Sequence, residues 1–347
     1  MSSNISARLQ ALLQNKIRVY FVGPPGTAKT GRMIAAAKAL NYRVVVIRLS
    51  LCERIDLGGC LVPDQAKGVT VQLPLQTLHE LRNSSEPTLL ILDDLGQGPT
   101  DVQAGSMSLF DKGALPDNVV IWGATNRPAD AAGANRLCEP LRSRFDLAFA
   151  IATPGFEPGN NVETLGSWKD EVDNFVGYCQ QEDHPVTLWT WHRSTVGETL
   201  YNWKPSADPA TRFADFRSWE TVARLQKAGL ATLQNVSAAL GRGVAARYLA
   251  FVEMAAQLPT PDEVFASPES ALVPTDAGAM HLICGMLSRH VTPKNAVAFF
   301  SYIARLPRPM QAYAVIDASN RLGAAVIAKT PAWQKFVVDN SDLFQQG

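Results

Sequence analysis

The sequence predicts an α/β domain with a doubly wound parallel sheet, followed by a part of the chain that is entirely helical. Up to Ile151, short runs of Val, Ile and Leu alternate with amphipathic helical stretches. These runs are apolar on both faces, as parallel strands are when helices cover both sides of a sheet. After Ile151 the strand runs stop, and Pro-rich breaks separate segments with helical apolar spacing. Strands alternating with helices, and then helices alone, favour this architecture.

The predicted sheet has five strands, each a short apolar run. They are Ile17–Val22, Val44–Leu49, Leu89–Leu92, Val119–Trp122 and Leu147–Ile151. Apolar spacing between the strands predicts helices, among them Thr30–Leu40, Leu75–Arg82 and Asp101–Phe110.

The second part follows a predicted linker, Thr153–Asn161, which is rich in Pro, Gly and Asn. Helical spacing then recurs in Leu165–Gln181, Ser218–Leu225, Val244–Leu258, Ala277–Ser288 and Lys294–Ile303. We therefore expect an α/β core over residues 1–155, a helical lid over 156–260 and a helical C-terminal extension over 261–347.

Charge and cysteine content restrict the class of protein. Lys and Arg number 32, as do Asp and Glu, so the net charge is zero and gives no support to a dedicated nucleic-acid binder. Five cysteines, none in a Cys-x-x-Cys pair, indicate free thiols in a reducing compartment. No apolar run is long enough to span a membrane, and the N-terminus lacks the pattern of a signal peptide. We expect a cytoplasmic protein.

A glycine-containing loop between the first strand and the first predicted helix carries the strongest chemical pattern. We interpret it as a phosphate-binding loop of the Gly-x-x-x-x-Gly-Lys-Thr type. Its residues are Gly23, Pro24, Pro25, Gly26, Thr27, Ala28, Lys29 and Thr30. Glycines let the backbone curl around phosphate oxygens, and the following helix N-terminus favours anions. Lys29 would reach the β- and γ-phosphates, and the hydroxyl of Thr30 would ligate Mg²⁺.

Acidic residues end the third predicted strand. Asp93 and Asp94 follow the apolar run Leu89–Leu92 and resemble a Walker B motif. Asp93 would hold Mg²⁺ through water, and Asp94 would polarise the attacking water. Most ATPases with a Walker B motif carry Glu at the position of Asp94. The Asp side chain is one methylene shorter than Glu.

Two further polar positions lie at the ends of later strands. Asn126 follows the strand Val119–Trp122, and the carboxyl ends of central strands converge on the ligand crevice of such a sheet. Asn126 could therefore orient the attacking water, although an Asx turn explains the same residue equally well. Arg142 and Arg144 precede the last strand.

These motifs, in this order, resemble the AAA+ ATPases. The resemblance implies ATP and Mg²⁺ as ligands, and it makes Asn126 the sensor 1 residue. Ser143-Arg144-Phe145 is similar to the family's arginine-finger box, so Arg144 looks like the finger, with Arg142 as the second candidate. A finger of this type reaches the γ-phosphate bound by the neighbouring subunit. The resemblance therefore implies a homo-oligomeric ring.

Other segments are similar to the MoxR and dynein-related branch of that family. Ile55–Gly59 resembles its Asp-Leu-x-Gly segment, after which the branch carries an inserted loop, and Pro99–Gln103 resembles its segment after Walker B. Asp215–Val222 resembles its sensor 2 box, with Phe216 in place of Pro, and Arg217 would approach the γ-phosphate. The branch implies a ring, most often hexameric, that remodels protein clients, with a von Willebrand factor A domain protein as a common partner.

Two other functions remain open. A DNA-directed motor or helicase loader would share the Ser-Arg-Phe-Asp-Leu segment, but it needs a basic channel that the neutral composition does not favour. A nucleotide-gated scaffold with little turnover is compatible with Asp94 in place of Glu.

Overall fold

The computed structural model describes residues 5–130, 133, 135–154, 162–204, 212–323 and 328–339. The chain forms two compact units. The first unit comprises residues 1–174, 201–211 and 215–217, and the second unit comprises 175–200, 212–214 and 218–347. Most of the predicted linker, residues 155–161, lies outside the described residues. The division into core, lid and extension stays a prediction.

Eight strands are present in the described part of the first unit. They are β1 Val19–Val22, β2 Arg43–Arg48, β3 Cys60–Asp64, β4 Val69–Leu73, β5 Thr88–Asp93, β6 Val119–Thr125, β7 Leu147–Ala150 and β8 Glu163–Thr164. Six of them form one parallel sheet in the order β2-β5-β6-β1-β7-β8. The predicted doubly wound parallel sheet is confirmed.

The prediction of five strands in this sheet was wrong by one. The sixth strand, β8, is two residues long and pairs with the end of β7, with Glu163 beside Phe149 and Thr164 beside Ala150. Neither Glu163 nor Thr164 belongs to an apolar run, so hydrophobic periodicity could not indicate a strand there.

Helices cover both faces of the sheet. The helices of the first unit are α1 Ile5–Gln14, α2 Lys29–Ala39, α3 Arg54–Gly58, α4 Gln76–Asn83, α5 Thr100–Ser106, α6 Glu139–Arg142 and the first turns of α7 Trp168–Gln181. Consecutive strand residues belong to opposite cores. Leu89 and Ile91 pack with α1 and α2, whereas Leu90 and Leu92 pack with α3, α4 and α5. This double burial explains why the strands are apolar at every position.

The segment after Gly59, where the family resemblance implies an inserted loop, forms an antiparallel hairpin of β3 and β4. Its strands are largely solvent-exposed: Leu61 is 72% exposed, and Val69 and Leu73 are each 50% exposed. Gly59 has φ +92°, and a Cβ there would meet the backbone of Leu73, so glycine is required where the hairpin begins.

The described part of the second unit is helical. Besides the later turns of α7 and α9 (Phe216–Lys227), it contains α8 Val186–Ser194, α10 Leu233–Leu240, α11 Arg242–Ala255, α12 Pro261–Ala266, α13 Ala277–His290, α14 Ala296–Ile303, α15 Arg308–Leu322 and α16 Pro331–Asp339. Residues of α12 to α16 share one core, with Phe299 and Tyr302 among its most buried side chains. Among the residues described, no helix is long and apolar enough to cross a bilayer.

Candidate active site

The predicted phosphate-binding loop lies at the carboxyl edge of the parallel sheet. It joins β1 to α2, and the amide of Gly23 donates a hydrogen bond to the carbonyl of Thr125 at the end of β6 (3.2 Å). The ends of β1, β5 and β6 are neighbours in the sheet, so the loop, Asp93 and Asn126 converge there. This is where ligands bind in open α/β sheets.

Lys29 is the first residue of α2 and points back into the loop. Its Nζ donates to Oδ1 of Asn126 (2.7 Å) and to the carbonyls of Gly23 (2.8 Å) and Pro24 (2.9 Å). Burial lowers the pKa of Lys29 to about 7, and the carboxylates of Asp130 and Asp93 oppose that shift. These three acceptors are neutral oxygens, so an anionic ligand would stabilise the ammonium.

Thr30 and Asp93 form the predicted metal-binding pair. The hydroxyl of Thr30 donates to Oδ2 of Asp93 over 2.9 Å. A hydroxyl and a carboxylate are hard oxygen ligands, which Mg²⁺ prefers, and it commonly binds with one or two protein groups plus phosphate oxygens and water. These two residues therefore fit the magnesium ion that the resemblance implies.

Asp94 has an unusual backbone conformation. Its φ is +55°, in the left-handed region that Asp and Asn tolerate better than most residues. Its Oδ2 accepts a hydrogen bond from Oγ of Ser50 (2.8 Å), which follows β2. Asp94 therefore lies at the strand edge beside Asp93, with one carboxylate oxygen held by Ser50.

Ala28 departs from the loop pattern, and the match to Gly-x-x-x-x-Gly-Lys-Thr stated above was incomplete. The second glycine position of that pattern is occupied by Ala28, with φ +54° and ψ +33°. An L-residue in this left-handed conformation costs about 1–2 kcal/mol. The loop still adopts the conformation that glycine would favour, so other contacts must hold Ala28 in place.

Three contacts that sequence reasoning did not predict involve Gly26 or its neighbour Pro25. Gly26 has φ +76°, and a Cβ there would overlap the carboxylate of Asp215. The Phe216 amide donates to the Gly26 carbonyl (3.3 Å), and the hydroxyl of Tyr201 donates to the carbonyl of Pro25 (2.9 Å). Gly26 thus has no room for a side chain, because the segment before α9 packs directly on it.

A buried ion pair lies behind the loop. Arg32 and Glu171 approach within 2.9 Å, with side chains 4% and 1% exposed. Arg32 Nη2 also donates to the carbonyl of Thr27 (3.0 Å), and Arg32 Nε to the carbonyl of Ala28 (3.4 Å). Arg32 thus links α2, α7 and the phosphate-binding loop.

The two finger candidates make other contacts. Arg142 pairs with Glu139 on the protein surface. Arg144 donates to the carbonyl of Pro140 (3.0 Å) and lies 3.7 Å from Asp111. In the described residues no hydrogen bond or ion pair joins Arg142 or Arg144 to the phosphate-binding loop, so the structure does not bring them into the same chain's site.

Arg217 is exposed on the first turn of α9. The residue before it, Phe216, bonds Gly26 as described above. Arg217 therefore lies close in sequence to a direct contact with the loop, although its predicted role as sensor 2 stays a prediction.

The family comparison agrees with this geometry. Residues 19–153 match the family model described as "ATPase family associated with various cellular activities (AAA)". The first unit has the AAA+ P-loop fold. The matched residues contain the loop of the AAA+ core, Asp93, Asp94, Asn126, Arg142 and Arg144, but not Arg217.

The remaining comparisons add little to the family match. Curated proteins give no match. Among solved structures, an ATPase candidate from Cytophaga hutchinsonii is similar at 16% identity and TM-score 0.31, over 65% of this chain and 73% of that chain. The Thermotoga maritima RuvB Holliday junction branch migration motor is similar at 11% identity and TM-score 0.32, over 96% and 85%. Scores this low carry no argument about function.

Proposed function

We propose that this chain binds ATP with Mg²⁺ and hydrolyses it within a ring of identical subunits. The observation that carries the proposal is the convergence of four predicted residues in two hydrogen bonds, from Lys29 to Asn126 and from Thr30 to Asp93. These residues come from three separate parts of the sequence, and they meet where the loop amides and the start of α2 favour an anion.

Each side chain of the site would have a separate chemical role. Lys29 would exchange its carbonyl acceptors for phosphate oxygens and remain charged because the phosphates are anionic. Thr30 and Asp93 would hold Mg²⁺, which offsets phosphate charge. Asn126 would orient a water molecule, and Asp94 would accept its proton. Because Oδ2 of Asp94 accepts from Ser50, we assign the proton to Oδ1.

We propose that Arg144 acts on the nucleotide of a neighbouring subunit. Its ion pair with Asp111 spans 3.7 Å between side chains that are 34% and 64% exposed. Exposed pairs of this kind contribute little, typically below about 1 kcal/mol, so a bound γ-phosphate could replace Asp111 as the partner. An arginine that reaches the γ-phosphate raises phosphoryl-transfer rates by about 10³–10⁵.

For the work performed, we propose remodelling of protein clients by a cytoplasmic ring of the MoxR type. The β3–β4 hairpin supports this proposal, because it exposes the apolar side chains of Leu61, Val69 and Leu73. Exposed apolar patches of this kind often bind other proteins. A hexamer and a von Willebrand factor A domain partner belong to this proposal through the family resemblance alone.

A phosphate-release assay tests the hydrolysis. We expect Lys29→Ala to abolish turnover through loss of binding, and Asp94→Asn to lower kcat by about 10²-fold or more with little change in ATP affinity. Asn matches Asp in size and tolerates the left-handed backbone at this position. Unchanged turnover in Lys29→Ala protein would overturn the proposal.

Mixing two inactive variants tests whether the site is shared. Arg144→Ala subunits keep an intact loop, and Lys29→Ala subunits keep an intact finger. Random mixing in a ring should restore about one quarter of wild-type turnover, since about one quarter of the interfaces combine the two intact halves. The Arg142→Ala variant serves as the matched control and should stay active alone. If Arg142→Ala is inactive and complements Lys29→Ala instead, Arg142 is the finger.

A nucleotide-gated scaffold is the second candidate, favoured by the short side chain of Asp94 and its hydrogen bond to Ser50. It differs in one measurable outcome. The scaffold would assemble with ATP but release negligible phosphate after the ring has formed, whereas the remodeller would continue to turn over.

A further inference from the structure

Arg32 and Glu171 form a charged pair whose position requires an explanation. Both side chains are almost fully buried, at 4% and 1% exposure. Two ions removed from water lose several kcal/mol of solvation each, and apolar residues of the same volume would often stabilise a core as well or better. Core packing alone therefore gives no reason for an arginine on this face of α2.

The hydrogen bonds of Arg32 show what the pair could do. While Nη1 donates to Oε1 of Glu171 (3.0 Å), Nη2 donates to the carbonyl of Thr27 (3.0 Å). The carbonyl of Ala28 accepts from the Arg32 amide (3.0 Å) and lies 3.4 Å from Nε. One guanidinium thus fixes the two carbonyls that come before the amides of Ala28 and Lys29.

Peptide geometry makes those contacts relevant to ligand binding. In a trans peptide the C=O and the N–H point in opposite directions. A carbonyl of Thr27 turned towards Arg32 therefore turns the amide of Ala28 away from the guanidinium. The same relation links the carbonyl of Ala28 to the amide of Lys29.

The left-handed backbone at Ala28 gives a second, independent reason. With φ +54°, Ala28 is in a conformation that glycine adopts freely and alanine does not. Arg32 bonds the carbonyl groups on both sides of Ala28. These bonds can hold the strained residue in place, and Glu171 neutralises the guanidinium that does so.

We propose that Arg32 and Glu171 are positioning residues that hold the phosphate-binding loop in its anion-binding shape before any ligand arrives. This deepens the proposed function and rests on it, because it concerns how the same loop recognises phosphate. The pair touches neither the nucleotide nor the reacting atoms. It acts by preorganising the loop amides.

The test replaces the pair rather than breaking it. Single substitutions such as Glu171→Ala leave a buried charge and are expected to unfold the protein. The double variant Arg32→Met, Glu171→Met removes both charges and keeps similar unbranched side chains. We expect it to remain folded, to bind ATP at least about tenfold more weakly and to keep kcat within about twofold at saturating ATP.

A second ion pair, with a buried aspartate and a partly exposed arginine, provides the control. Arg193 and Asp317 lie 3.2 Å apart in the second unit, with Asp317 only 3% exposed in its side chain. Both residues belong to the second unit, whereas the loop belongs to the first. The double variant Arg193→Met, Asp317→Met should change the melting temperature by a comparable amount without changing the Kd for ATP. If both double variants leave the Kd unchanged, Arg32 and Glu171 serve the fold alone and the proposal is overturned.

Amide hydrogen exchange separates this proposal from the proposed function. In the ligand-free protein, exchange at Ala28 and Lys29 should be faster in the Arg32→Met, Glu171→Met variant than in wild type, and unchanged in the control. Failure of the wild-type protein to bind ATP would refute the proposed function. The exchange comparison would still decide whether Arg32 and Glu171 hold the loop in shape. Equal exchange in the two proteins would refute it.

Discussion

Lys29 gives the proposed site a pH dependence that can be measured. Burial lowers its pKa to about 7 in the ligand-free protein. Phosphate oxygens would favour the ammonium and raise the pKa towards or above its ordinary value. ATP binding above neutral pH must therefore be accompanied by uptake of a proton.

The size of the effect follows from the fraction of Lys29 that is charged. With a ligand-free pKa of about 7, raising the pH from about 6.5 to about 8.5 should weaken ATP binding about 25-fold. Isothermal titration calorimetry in buffers of different ionisation enthalpy should show close to one proton taken up at the higher pH.

The Lys29→Arg variant controls for the protonation of ATP itself. A guanidinium stays charged across this range, so the affinity of the variant should change little with pH and its proton uptake should be near zero. The ratio of the two proteins' Kd values for ATP at each pH then isolates the contribution of Lys29. A wild-type Kd that changes less than about threefold relative to the variant would refute the reasoning.

Lys29 should affect folding stability in the opposite direction to ATP affinity: as the pH rises, ATP binding weakens but the free energy of unfolding increases. Lys29 has an ordinary pKa of 10.5 when unfolded and a lower one when folded, so the unfolded chain binds more protons between these values. The free energy of unfolding of the ligand-free protein should therefore rise with pH through this window. Saturating ATP should remove that rise, and chemical denaturation at several pH values measures both.

Three further outcomes concern single residues. Ala28→Gly should raise the free energy of unfolding by about 1 kcal/mol in urea denaturation, whereas Ala35→Gly on the exposed side of the same helix should lower it by about as much. Gly26→Ala should abolish ATP binding, measured by calorimetry, because its Cβ would overlap a buried carboxyl side chain. Asp317→Ala should cost about 1.5–3 kcal/mol in a urea titration, because the partly exposed Arg193 and the amide of Gln180 lose their acceptor; a loss below about 1 kcal/mol would contradict this reasoning.

Much of the core could be predicted from local pattern. The strand β5 is apolar on both faces and ends in acid, and the structure places it between β2 and β6, with Asp93 at the carboxyl edge. Hydrophobic periodicity and the glycine-containing loop are properties of neighbouring residues, so a single sequence contains them. The two-residue strand β8 has no such pattern and was missed.

The phosphate-binding loop shows which features could not be predicted from the sequence. By itself the sequence determined that Gly23 to Thr30 joins a buried strand to a helix predicted to begin at Thr30. The structure begins that helix one residue earlier, at Lys29. What holds the loop in shape was decided by tertiary structure. Glu171 lies 139 residues from Arg32, and Asp215 packs on Gly26 from a distant segment. A charge on a helix normally predicts a solvent-exposed face. Arg32 is buried because folding brings the distant carboxylate of Glu171 to it, and such a pairing depends on three-dimensional proximity that no local pattern records.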